Sequence, residues 1–128
     1  MQISKRSLIV ASAASLLASA GRKYQAGRYN DAISEYRRAV ALKSTAAAHT
    51  GYARALYDAD RSEEALREAK AAIEEDARYA PAWLMLGEIN QAQGRKAQAR
   101  AAYERFLQLS PRGEEARAVR EILSKQLR

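Results

Sequence analysis

The feature that most constrains this chain is that it repeats itself. Leu86, Gly87, Gly94 and Ala99 stand 34 residues after Tyr52, Ala53, Asp60 and Ala65. A further step of 33 residues back from Ala53, Asp60 and Ala65 reaches Ala20, Gly27 and Ala32. That register pairs apolar stretch with apolar stretch and turn with turn, so three copies fill residues 13–113. The first copy is one residue short in its final loop. A unit of this size cannot bury its own apolar face, and neighbouring units must stack to make a core.

Each copy reads as two helices. In the last, Trp83, Leu86, Gly87 and Asn90 share one helical face, Gly94 and Arg95 mark the turn, and Ala99, Tyr103, Phe106 and Leu107 form the next face. Pro111 ends it. Gly27 and Gly94 suit a left-handed turn, and Asp60 is among the better non-glycine residues there. Ala20, Ala53 and Gly87 on the first helices face Ala32, Ala65 and Ala99 on the second, where two rods of a hairpin approach most closely. Alanine is abundant, proline is confined to Pro81 and Pro111, and β-branched residues are few, so no sheet is expected. At 128 residues the chain is one folded unit.

The period, together with Trp83-x2-Leu86-Gly87, then Ala99-x3-Tyr103, then Pro111, resembles the tetratricopeptide repeat. The resemblance implies an all-α, right-handed α-α superhelix of three helix-turn-helix repeats at 13–45, 46–79 and 80–113. Residues 1–12 are then an extension or the start of the first helix, and 114–128 a capping helix with Val119, Ile122 and Leu123 on its apolar face. The chain departs from the family pattern in places. Asn90 stands where a tyrosine is usual, His49 where Trp83 stands in the last copy, and Ala77 where Pro111 stands. Phe106 replaces the alanines Ala39 and Ala72 and is expected to reach the cap.

The N-terminus reads two ways. Lys5 and Arg6, the apolar stretch Leu8 to Leu17, and Ala18-Ser19-Ala20 have the layout of an export signal, which would make the protein periplasmic or exported. Leu16, Ala20 and Tyr24 also recur at helical spacing and run unbroken into the first turn. Removing them would strip the partner from the next helix, with Ile33, Tyr36 and Val40 on its apolar face. The expectation is therefore a structural helix and a cytoplasmic protein. No stretch approaches the roughly 20 apolar residues that span a bilayer.

Charge narrows the function. The net charge is +7, yet residues 46–79 carry five basic and eight acidic groups, while residues 1–45 carry eight and two. A nucleic-acid binder shows a continuous basic face, so that role is limited to a minor alternative through the first repeat. Absent cysteine excludes disulfides and thiol chemistry. His49 is the only histidine, falls at a core position, and has no evident catalytic partner. Neither a phosphate-cradling loop nor metal-ligand spacing appears, so no enzyme, metal or cofactor is expected.

In the resembling family the first helix of each repeat lines a concave wall that holds a partner peptide or helix. The corresponding positions here are Leu17 and Tyr24, then Arg54, Tyr57 and Asp58, then Leu84, Glu88 and Gln91. Tyrosine and arginine most often carry interface energy, which singles out Tyr24, Arg54 and Tyr57, although both tyrosines also suit packing between hairpins. Some members grip a chaperone's terminal carboxylate with basic residues; those places here hold Leu17, Gly21, Gly51, Pro81 and Met85. The expected role is thus a scaffold binding another protein. The alternative is self-association through Leu8, Ile9 and Val10, giving a homo-oligomer.

Overall fold

A computed structural model describes residues 2–127, so the outermost residue of each terminal segment, 1–12 and 114–128, lies outside the described residues. Among them are seven helices and no strand: α1 Lys5–Gln25, α2 Tyr29–Leu42, α3 Ala46–Asp58, α4 Ser62–Glu75, α5 Ala80–Ala92, α6 Lys96–Leu109 and α7 Glu114–Lys125. The helices pair in chain order as hairpins α1/α2, α3/α4 and α5/α6, and the hairpins stack through α2 on α3 and α4 on α5.

Local chemistry makes the hairpins alike. Gly27, Asp60 and Gly94 adopt φ of 77°, 62° and 73°. At each, two backbone hydrogen bonds close the helix end. Arg28, Arg61 and Arg95 donate to the carbonyls of Lys23, Leu56 and Asn90 at 2.8, 2.9 and 2.9 Å. Gly27, Asp60 and Gly94 donate to Tyr24, Tyr57 and Gln91. This paired closure satisfies carbonyls that a helix end otherwise leaves orphaned. Thr45 starts α3 by accepting from the Ala48 N–H at 3.1 Å, and Pro81 occupies the first turn of α5, where a missing N–H costs nothing.

Alanine sets the helix spacing. Ala20, Ala32, Ala53, Ala65 and Ala99 are all fully buried. Glycine serves where a ring must lie on backbone: a Cβ on Gly51 would sit 2.6 Å from the Tyr36 ring, and one on Gly87 2.6 Å from the Tyr103 ring. Overpacking of that kind costs about 1–3 kcal/mol. At the C-terminal end Phe106 and Tyr103 pack with Ala116, Val119 and Leu127, so α7 covers the last hairpin. Its first turn carries Glu114 and Glu115 and its last Lys125, as the helix dipole favours. At the other end α1 is one unbroken helix of 21 residues with Ala13 and Ala20 buried. Among the described residues no helix is long and apolar enough to cross a membrane.

Candidate functional site

Stacking places α1, α3 and α5 side by side, with α3 in contact with both neighbours. Their polar side chains bridge from one repeat to the next. The Tyr24 hydroxyl donates to Asp58 Oδ2 at 2.5 Å, and Arg54 Nη1 lies 3.6 Å from Glu88 Oε2. Gln91 accepts from the Tyr103 hydroxyl at 2.6 Å and donates to Gln126, just past α7, at 2.6 Å. Five of the expected groove residues, Tyr24, Arg54, Asp58, Glu88 and Gln91, are thus tied into one row of bridges.

Electrostatics in this row follow from partial burial. Burial, then the hydrogen bond to Asp58, pushes the Tyr24 phenol up to about 12, so the contact stays intact across the physiological range. Burial also raises Glu88; Arg54 opposes that shift, while Glu115 and Asp58 add to it. Tyr103 is pushed up to about 12 by burial and by the charge of Glu88. One cation, Arg54, therefore faces three carboxylates, and the wall leans acidic. Tyr57 is half-buried against the core, and its hydroxyl makes no hydrogen bond among the described residues. That leaves it a free donor.

The two leucines lie apart from this row. Leu17 is half-buried in an apolar hollow of about 150 Å³ shared with Val10, Ala39 and Ala48. Leu84 is 7% exposed and packs with Tyr103 and Val119 beneath α7, which leaves a partner little of its surface.

His49 requires a correction. The sequence shows no partner for it, but the structure supplies two: Nδ1 is 2.6 Å from Glu68 Oε2 and Nε2 is 2.8 Å from the Ser44 hydroxyl. His49 is 8% exposed. Both partners come from other elements, the preceding loop and α4, so only packing brings them together. A serine, a histidine and a carboxylate in line invite comparison with a nucleophile and its base. The Ser44 proton, however, goes to Glu75 Oε1 at 2.6 Å, since an ionised carboxylate can only accept. The array ties the α2–α3 connection to α4.

Comparison with known proteins agrees with this geometry. The family model described as tetratricopeptide repeat matches residues 17–80 and again 53–114. Among solved structures, the tetratricopeptide domain of Arabidopsis OM64 is similar at 20% identity and a TM-score of 0.85, covering 91% of this chain and 98% of that one. The second such domain of human RPAP3, solved with an HSP70 peptide, is 24% identical with a TM-score of 0.82, covering 92% and 99%. The second such domain of Spaghetti (RPAP3), bound to an HSP90 peptide, is 26% identical with a TM-score of 0.75, covering 77% and 93%. No curated protein matches the sequence.

Proposed function

Since the chain belongs to the tetratricopeptide-repeat family, we propose that it is a protein-interaction module that holds a peptide or helix of another protein against α1, α3 and α5. Residues 13–45, 46–79 and 80–113 act as the repeats in this reading, and 114–128 as the closing cap. The supporting observation is the bridged row Tyr24–Asp58 and Arg54–Glu88, which presents fixed polar groups at the repeat spacing beside the free hydroxyl of Tyr57. Preorganised groups lose little freedom when a partner docks.

The chain performs no chemistry in this reading and works in the cytoplasm, with Ala13 and Ala20 of α1 retained as packing for the first hairpin. Similar domains hold peptides of heat-shock proteins. This wall instead suits a segment carrying cations, because Asp58, Glu88 and Glu115 outnumber Arg54 and the places of a carboxylate grip hold the uncharged Leu17, Gly21, Gly51, Pro81 and Met85. Affinity capture with wild type and with the double variant Tyr57→Ala, Arg54→Glu tests the reading. Prey retained equally by both forms, with unchanged melting, refutes it.

A second reading, self-association, has its own observation. Among the described residues, the large apolar side chains that stay exposed, Ile3, Leu8, Ile9, Val10 and Leu42, gather just before and at the start of α1 and at the end of α2. Light scattering on wild type and Leu8→Glu separates the readings: a dimer that the variant dissolves supports association.

A further inference from the structure

Away from the α1–α3–α5 face, α4, α5 and α6 enclose a cleft of about 480 Å³. Leu66, Leu86 and Ala102 give it an apolar lining, the Trp83 ring forms part of the wall, and Lys70 and Arg95 stand at it as cations. Asn90 also lines the cleft, is only 5% exposed, and its side-chain amide makes no hydrogen bond among the described residues. Its amide atoms are not sealed from solvent, so they are open to a hydrogen-bonding group that enters the cleft.

The chain itself shows what belongs there. One repeat earlier, Tyr52 stands 34 residues before Leu86, Leu56 stands 34 before Asn90, and Arg37 stands 33 before Lys70. In that junction the Arg37 Nε donates to the Tyr52 hydroxyl at 3.2 Å. The later junction keeps the cation, as Lys70, and loses the phenol, since Leu86 is too short to reach it. Lys70 makes no ion pair among the described residues. Among the described residues Arg95 is bridged only to Glu63, at 3.3 Å.

We propose that this cleft docks a tyrosine side chain presented by an acidic segment of a partner protein. The ring lies on Leu66 and Leu86, its hydroxyl meets the Asn90 amide and Lys70, and carboxylates flanking it in the partner meet Lys70 and Arg95. This surface is separate from the wall assigned above, and either assignment stands if the other falls.

The test is a nuclear magnetic resonance titration of the isotope-labelled full chain, following the Trp83 indole N–H and the Asn90 side-chain amide. The probes are a capped tripeptide with tyrosine between two glutamates, its phenylalanine counterpart, and free p-cresol. Saturable shifts at Trp83 and Asn90 are expected with the tyrosine peptide, with affinity about tenfold weaker for phenylalanine through loss of one hydrogen bond. Weaker binding of p-cresol is also expected. Asn90→Tyr fills the cleft and abolishes the shifts at Trp83; should that variant fail to fold, Ala101→Phe at an exposed lining position gives the same readout. Equal affinity for the two peptides overturns the proposal, and equal affinity for p-cresol overturns the protein partner in favour of a small phenol. Shifts confined to Arg54 and Tyr57, or binding unaffected by the filling variants, also overturn it.

Discussion

The junction between the first and second hairpins and the junction between the second and third stand on equivalent backbone and are finished in opposite ways. In the first, long side chains pair with one another: His49 with Glu68, Arg37 with Tyr52, and Arg61 with Glu64 through two contacts of 2.8 Å. In the second, the residues 34 positions on from His49, Leu56, Glu64 and Glu68 are Trp83, Asn90, Gln98 and Ala102, and a cleft remains. Repetition of the backbone therefore does not dictate repetition of the surface. Side-chain length and pairing decide whether a junction is sealed or open to a guest.

The largest expected effect comes from the middle hairpin, which supplies a wall to both junctions. Ala65 is fully buried, and Ala65→Leu should cost about 3 kcal/mol by forcing α3 from α4. An unchanged melting temperature would mean that the helices are not in close contact there. Next, His49→Ala strips Glu68 and Ser44 of their shared partner and should cost about 2 kcal/mol in chemical denaturation. The matching change in the open junction carries the opposite sign. Asn90→Leu installs the earlier repeat's residue, adds apolar contact with the Leu66 and Leu86 side of the cleft, and should gain about 1 kcal/mol. Loss of stability in that variant would show that the two junctions are not equivalent.

The smallest effects concern acid. Lys23, and then Ser19, hydrogen-bond Glu35 on α2 and hold its carboxyl below the usual range. Its stabilisation is present above the ordinary carboxylate pKa and is lost as pH falls through the depressed folded value. Glu88, raised mainly by burial, behaves in reverse: its ionised form costs stability above the raised value, and the cost is relieved as pH falls through it. Stability measured against pH should therefore show Glu35→Gln losing its deficit relative to wild type in acid. Glu88→Gln should match or exceed wild type at neutral pH and lose that advantage on acidification.

Much of the architecture was legible in advance. The three left-handed turn residues could be named because few side chains tolerate positive φ, and Gly27, Asp60 and Gly94 recur at the period. The buried alanines followed from the same spacing, and the cap from the run of Val119, Ile122 and Leu123 after Pro111. The candidate wall was legible only as positions. That Tyr24 and Arg54 would be engaged by Asp58 and Glu88, while Tyr57 would not, depends on rotamers and on the stacking angle between repeats. Leu84 reads as a wall residue on its own helix, and α7 covers it.

The sequence by itself determined the repeat length, the hairpin turns and the helix-to-helix spacing, because these rest on backbone φ, on capping and on side-chain size, all properties of single residues at a fixed period. Only the tertiary structure decided that His49 sits between Glu68 and Ser44 and that Asn90 is left facing an open cleft. Those are relations between side chains on different elements, and a one-dimensional period places residues on faces without saying which neighbour reaches across to meet them.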